Sequence, residues 1–150
     1  MIRIESLAHI GIRVKDFARS VAFYRQFGFE VIREDLHEHV VVLHHPSGLE
    51  LNLLDSADED KQGRNVLMDV KPRYPGVTHI ALRIDDVQRA KAQLEAVGVT
   101  LTEGPVTFGD GSTSIFFRDP DRNVTELAEP LRGLLNLDSA VDHSILLSTS

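Results

Sequence analysis

His9-Ile10-Gly11-Ile12-Arg13-Val14-Lys15-Asp16 returns seventy residues later as His79-Ile80-Ala81-Leu82-Arg83-Ile84-Asp85-Asp86. Extended to His9–Glu30 over His79–Thr100, the comparison runs 22 positions without a gap and keeps seven identities: His9/His79, Ile10/Ile80, Arg13/Arg83, Asp16/Asp86, Arg19/Arg89, Ala22/Ala92 and Gly28/Gly98. Average residue usage gives about one or two by chance. Each copy alternates apolar and polar residues, the period of a half-buried strand: Ile10, Ile12 and Val14 point one way, His9, Gly11 and Arg13 the other. Asp16 then stands where a helix wants its N-cap, Phe17, Val21, Tyr24 and Phe27 follow at helical spacing, and Gly28 stops the run.

Outward from this phrase the chain reads as one module used twice. Phe29–Glu34, Glu38–His44 and Leu49–Leu54 are three further strands, with Pro46-Ser47-Gly48 as a turn. The second copy gives a strand at Thr78–Ile84, a helix over Asp86–Val97 opened by Asp85 or Asp86, and strands at Val99–Thr107, Ser112–Arg118 and Asn123–Glu129. His45-Pro46-Ser47-Gly48-Leu49-Glu50-Leu51 matches Asp119-Pro120-Asp121-Arg122-Asn123-Val124-Thr125-Glu126-Leu127 if two residues are inserted in the second. A unit of about 65 residues is marginal alone, because it buries too little of its surface. The expected architecture is therefore α+β: a single domain over 1–130 made of two repeats, about 5–56 and 76–130. These tandem βαβββ modules form a curled mixed sheet cup with the helices outside. Asp55–Arg64 and Lys71–Gly76 link the modules, and a leucine-bearing tail, 131–150, is left either to cover a sheet edge or a partner subunit or to be mobile.

Composition narrows the function. Hydrophobic residues make up 42% and charged residues 26% of 150, an ordinary globular balance. A formal charge of −7 opposes binding to a phosphate backbone, so no nucleic-acid partner is expected. The absence of cysteine removes disulfides, thiolate ligands and a cysteine nucleophile. No apolar run approaches the ~18 residues of a membrane span, and the charged start Met1-Ile2-Arg3-Ile4-Glu5 is unlike a secretory signal. The expectation is a cytoplasmic protein with a small-molecule substrate and no membrane partner.

Strand alternation gathers the polar chemistry on one face. Leu49, Leu51 and Leu53 must cover the helix, so Glu50 faces away from it, with His9 and Arg13. The same rule puts His79, Arg83 and Glu126 on the matching face of the second module. Two neutral imidazoles and two carboxylates suit one divalent ion, Ni, Zn, Co, Mn or Fe. Without a cation, two carboxylates facing inward repel and one tends to protonate. The plainer alternative is two strand-end histidines and two solvent-facing glutamates.

With these segments in view, the chain resembles the vicinal oxygen chelate superfamily, which includes glyoxalase I, bleomycin-resistance proteins and extradiol dioxygenases. The resemblance covers about residues 5–130 and is carried by His9–Asp16, Leu49-Glu50-Leu51, His79–Leu82 and Phe117–Asp121 with Glu126-Leu127. It implies metal ligands His9, Glu50, His79 and Glu126, similar to the quartet of glyoxalase I. It also implies a glyoxalase-like lyase or isomerase that shifts a proton on a substrate chelating the metal through vicinal oxygens, such as a thiol hemithioacetal. Lewis acidity would stabilise the developing enediolate, with Glu126 as base and Glu50 as its counterpart. Arg13, Arg83 and Asn52 are the candidate substrate-binding residues; Arg13 reads equally as a cup-edge arginine paired with a local acid. Leu54 stands where glyoxalase I has a glutathione-binding asparagine, so the thiol specificity carries over less well than the metal. The resemblance further implies a homodimer. The competing readings are a ligand-sequestering protein of the bleomycin-resistance kind, with or without metal, and an epimerase, extradiol dioxygenase or thiol transferase. Phe116 stands where the dioxygenase reading wants tyrosine.

Other features read as structure. His37, His39, His44 and His45 are hairpin polar positions, Gly109-Asp110-Gly111-Ser112-Thr113 is a turn lacking the lysine of a phosphate loop, and Asp55–Asp60 is a solvated linker.

Overall fold

The computed structural model describes residues 1–59 and 62–132; all of the 131–150 tail beyond residue 132 lies outside it. The element order is β1 (Ile10–Arg13), α1 (Phe17–Arg25), β2 (Glu30–Asp35), β3 (Val40–His44), β4 (Glu50–Leu54), β5 (His79–Arg83), α2 (Val87–Ala96), β6 (Leu101–Thr107), β7 (Thr113–Arg118) and β8 (Val124–Glu129). Every element of the repeated βαβββ plan is present. The described residues divide into two compact units, Met1–Gly76 with Asp119–Asn123, and Val77–Arg118 with the described residues from Val124 on.

In the first unit the strands run β1-β4-β3-β2. β4 lies parallel to β1 and antiparallel to β3, so the strand carrying Glu50 and Asn52 is interior. Asp16 caps α1 as its spacing demands, its carboxylate accepting the Arg19 N–H at 2.7 Å. Gly28, at φ +88°, ends the helix in the left-handed region that an L side chain avoids. Tyr24, Phe29, Leu43, Leu51 and Leu53 are buried as the core against the helix. Leu53 has no exposed surface, whereas Leu54, its neighbour on the other face, is 38% exposed. The leucine alternation thus does what the period of two requires.

The turn Asp119–Asn123 belongs to this unit. The buried Asp119 carboxylate accepts the Asp121 and Asn123 N–H groups at 2.9 Å on one oxygen. Its other oxygen accepts the Tyr24 hydroxyl at 2.8 Å and the Asn123 amide at 2.9 Å. Burial raises the Asp119 pKa, and these bonds pull it back; burial beside Asp119 raises the Tyr24 phenol well above its ordinary 10.0. Arg19 closes the cluster, donating to Asp121 at 2.6 Å.

The second unit repeats the order as β5-β8-β7-β6. Asp86, the second of the two candidate caps, accepts the Arg89 N–H at 2.9 Å. Val87 and Leu94 of α2 are buried with Ile115, Phe117 and Leu127. β6 approaches β7 so closely at Gly104, φ +93°, that a Cβ there would lie 2.5 Å from the Ser114 carbonyl oxygen.

Two expectations change. Both sheets are open, each with two edge strands, where the sequence reading expects a curled cup; four strands are too few to close, which takes about eight. The second change is in the repeat alignment. β3 and β4 are joined by His45–Leu49, and β7 and β8 by Asp119–Asn123, turns of equal length. They share their hydrogen bonds: His45 N to Leu49 O and Asp119 N to Asn123 O, both 2.9 Å, and Gly48 N to His45 O and Arg122 N to Asp119 O, 2.9 and 3.0 Å. There is no two-residue insertion.

Candidate functional site

The register of each sheet decides which residues correspond. Gly11 pairs with Asn52 on β4, and its repeat mate Ala81 pairs with Glu126 on β8. Across the other neighbour, Val42 faces Asn52 as Phe116 faces Glu126. The first-unit residue equivalent to Glu126 is therefore Asn52, and Glu50 corresponds to Val124. The equivalence of Glu50 with Glu126 rested on the insertion and goes with it.

In the second unit His79 and Glu126 meet. His79 opens β5 and Glu126 lies mid-strand on β8, on the face turned away from Leu127 and the core. The imidazole Nε2 is 2.9 Å from Glu126 Oε2, and the Glu126 side chain is only 14% exposed. The other carboxylate oxygen, Oε1, accepts the Ser114 hydroxyl at 2.6 Å. Ser114 has no exposed surface, so that bond is shielded from water. At the far side of the imidazole, Nδ1 is 2.9 Å from the Thr78 hydroxyl. A hydroxyl both donates and accepts, so Thr78 serves either tautomer. When it accepts from Nδ1–H, the Nε2 lone pair is freed for a cation, the usual outer-partner arrangement of a ligating histidine. The ring of Phe116 stands edge-on to His79, centroids 6.2 Å apart.

Ser114 and Thr78 escaped the sequence reading. Ser114 was findable: a five-residue turn centred on Pro120-Asp121 sets Phe116 opposite Glu126, and Ser114 is two residues before Phe116 on the same face. Thr78 carries no such signal beyond its place beside His79.

The first unit is arranged differently. His9 is exposed and precedes β1 by one residue. Glu50 starts β4 opposite His44. Asn52 is half-buried, and its Oδ1 is buried with no hydrogen-bond partner. Arg13 is exposed and its Nε donates to Ser56 Oγ at 3.1 Å. Arg83 is exposed on β5.

Among the described residues no group of three or more histidine, aspartate or glutamate side chains is gathered to hold a metal ion. The donors still fit one in kind. A nitrogen and an oxygen 2.9 Å apart match the edge of an octahedral shell with bonds of about 2.1 Å, and the orphaned Asn52 oxygen lacks an electropositive partner. At the first hairpin, His39 Nδ1 sits 3.1 Å from Asp55 Oδ1, and His45 Nδ1 accepts the Ser47 N–H at 3.0 Å. The glycine-rich segment is a turn, closed by Phe108 N to Ser112 O at 2.9 Å. No helix among the described residues is long and apolar enough to cross a membrane.

Residues 6–127 match the family model of the Glyoxalase/Bleomycin resistance protein/Dioxygenase superfamily. No curated protein sequence matches. Among solved structures, the chain is similar to SMU.1112c, at 27% identity over 85% of this chain and 100% of that one, with a TM-score of 0.67. It shares its fold with TnmS3, an antibiotic binding protein from Streptomyces sp. CB03234, at 24% identity, 87% and 100% coverage and a TM-score of 0.65. The lactoylglutathione lyase of Agrobacterium tumefaciens stands similarly, at 24% identity, 84% and 94% coverage and 0.62.

Proposed function

The chain belongs to the glyoxalase/bleomycin resistance protein/dioxygenase superfamily, and from that premise we propose a divalent-metal-dependent, glyoxalase-like lyase or isomerase whose base is Glu126. The observation that carries the reading is the second unit's chain of contacts, Thr78–His79–Glu126–Ser114, on the sheet face away from the core. His79 through Nε2 and Glu126 are the ligands this unit offers. When bound, the cation supplies Lewis acidity to two adjacent oxygens of a chelating substrate.

The residues divide the remaining work. Ser114 donates to Oε1 and holds the carboxylate in place while Glu126 takes and returns a proton. Thr78 orients the imidazole from behind. Phe116 puts an apolar edge beside His79, lowering the local polarity in which charge moves. Arg13 and Arg83, on the first strand of each module, are cations suited to an anionic part of the substrate.

The test is metal analysis of the purified protein, followed by assay of hemithioacetal isomerisation with several metals and thiols. Glu126→Gln is expected to retain substrate binding and lose at least a hundredfold in turnover, the scale of a removed general base. An unimpaired rate in that variant removes Glu126 from the chemistry. A protein that holds no ion under any condition supports instead the ligand-sequestering alternative.

A further inference from the structure

The chain leaves the second unit at Arg118, enters the first for Asp119–Asn123, and returns at Val124. A turn between strands ordinarily lies on the surface with water for its polar groups. Here the first unit takes that role, through residues 57 to 110 positions earlier in the chain. Asp121 Oδ1 accepts the Arg19 guanidinium at 2.6 Å and the Lys15 N–H at 3.2 Å, and its Oδ2 lies 3.4 Å from the Ser20 hydroxyl. The Arg122 carbonyl accepts the Asn65 amide, and the Asn123 amide donates to the Arg13 carbonyl, both at 3.2 Å. With the Tyr24–Asp119 bond, the end of β1, the helix α1 and the segment after β4 all hold the same five residues. The Asp121 side chain is only 12% exposed, which shields these charge-assisted bonds from water.

The insertion runs one way. The counterparts of Asp119, Asp121 and Asn123 are His45, Ser47 and Leu49, and those of Ser20 and Tyr24 are Ala90 and Leu94. These residues cannot build the same polar cluster, and the His45–Leu49 turn stays in the unit of its own strands. The backbone of Asp119–Asn123 meanwhile closes the hairpin of β7 and β8, Asp119 N to Asn123 O at 2.9 Å. One short segment thus has its side chains held by the first unit and its backbone ends continuous with the strands of the second. We infer that this turn is a coupling device, a plug that makes the two units open and close as one cooperative body. If the first unit opens, the Asp119 and Asp121 carboxylates lose their donors; if the hairpin opens, the first unit loses the plug. The inference draws nothing from the metal-dependent reading and stands or falls apart from it.

The test is hydrogen exchange of the full chain, followed by nuclear magnetic resonance at urea concentrations below the unfolding transition. In the wild type, the slowest amides of β3 and β4 and those of β7 and β8 are expected to converge on one urea dependence, the mark of a shared opening. Asp121→Ala deletes the acceptor of Lys15, Arg19 and Ser20 but leaves the backbone closure of the hairpin. It is expected to speed exchange in β3 and β4 about tenfold more than in β7 and β8. Asp121→Asn keeps one acceptor oxygen; it is expected to show the same split to a smaller degree, and decides the matter if the alanine variant does not fold. Ser47→Ala, in the counterpart turn, is expected to leave the convergence intact. A turn that merely stabilises would speed both sets by the same factor, and that result overturns the coupling. So do unchanged rates in both Asp121 variants, or two separate urea dependences in the wild type.

Discussion

Ser114 is a small residue with a specific task. Its hydroxyl is buried and spends its hydrogen on Glu126 Oε1 at 2.6 Å, so Ser114→Ala leaves a carboxylate oxygen short of a donor. The expected cost is about 1.5–3 kcal/mol in urea unfolding, the range for a hydrogen bond to a charged group. A stability within about 0.5 kcal/mol of wild type contradicts the bond. Tyr24 gives a pH signature. Its folded pKa lies well above the unfolded 10.0, so above pH 10 the unfolded phenol ionises while the folded one does not. Stability is fully present below that value and is lost as pH rises beyond it. Tyr24→Phe should lower stability at neutral pH, through the lost bond to Asp119, and flatten this alkaline decline. An alkaline limb of equal slope in the variant assigns the decline to other groups.

At the scale of elements, the strands and helices follow from local rules. The leucines of β4 alternate with polar residues, Asp16 and Asp86 cap, and Gly28 and Gly98 stop the helices, so these elements were legible from the sequence. What was not legible is the register of β8. At the turn before it, Arg122 holds φ +68°, the place taken in the first module by Gly48 at +92°. An arginine in a left-handed position hides the likeness of Pro120-Asp121-Arg122 to Pro46-Ser47-Gly48. Matching Leu-Glu-Leu to Thr-Glu-Leu then demanded a gap, and Glu50 was paired with Glu126 instead of Asn52. The closeness of β6 to β7 was equally hidden, because a glycine in a strand does not announce what presses on it. Gly104→Ala must move the Ser114 carbonyl or give up φ +93°, an expected loss of about 2–4 kcal/mol from strain and overpacking together. Differential scanning calorimetry checks it, and an unaltered melting temperature refutes the tight approach.

For the whole molecule, the family is carried by a repeat that any reader of the sequence meets, while the proposed reaction rests on a few side chains. The first is redundant, spread over 122 matched positions from 6 to 127; the second turns on single residues, which is why fold was easier to read than site. A charge of −7 favours capture of a cation over an anion from solution. A dimer, expected from the resemblance, is checked by sedimentation at micromolar concentration, where a monomer alone contradicts it. The central claim is that His79 and Glu126 grip a divalent ion. Nuclear magnetic resonance tests it most directly, by following the histidine side-chain signals of the metal-stripped chain as Mn²⁺ is added in small fractions of an equivalent. The account predicts that His79 broadens first, and that this early broadening disappears in Glu126→Leu, which leaves no oxygen beside the imidazole. Broadening that begins at His39 or His45 and leaves His79 sharp contradicts it.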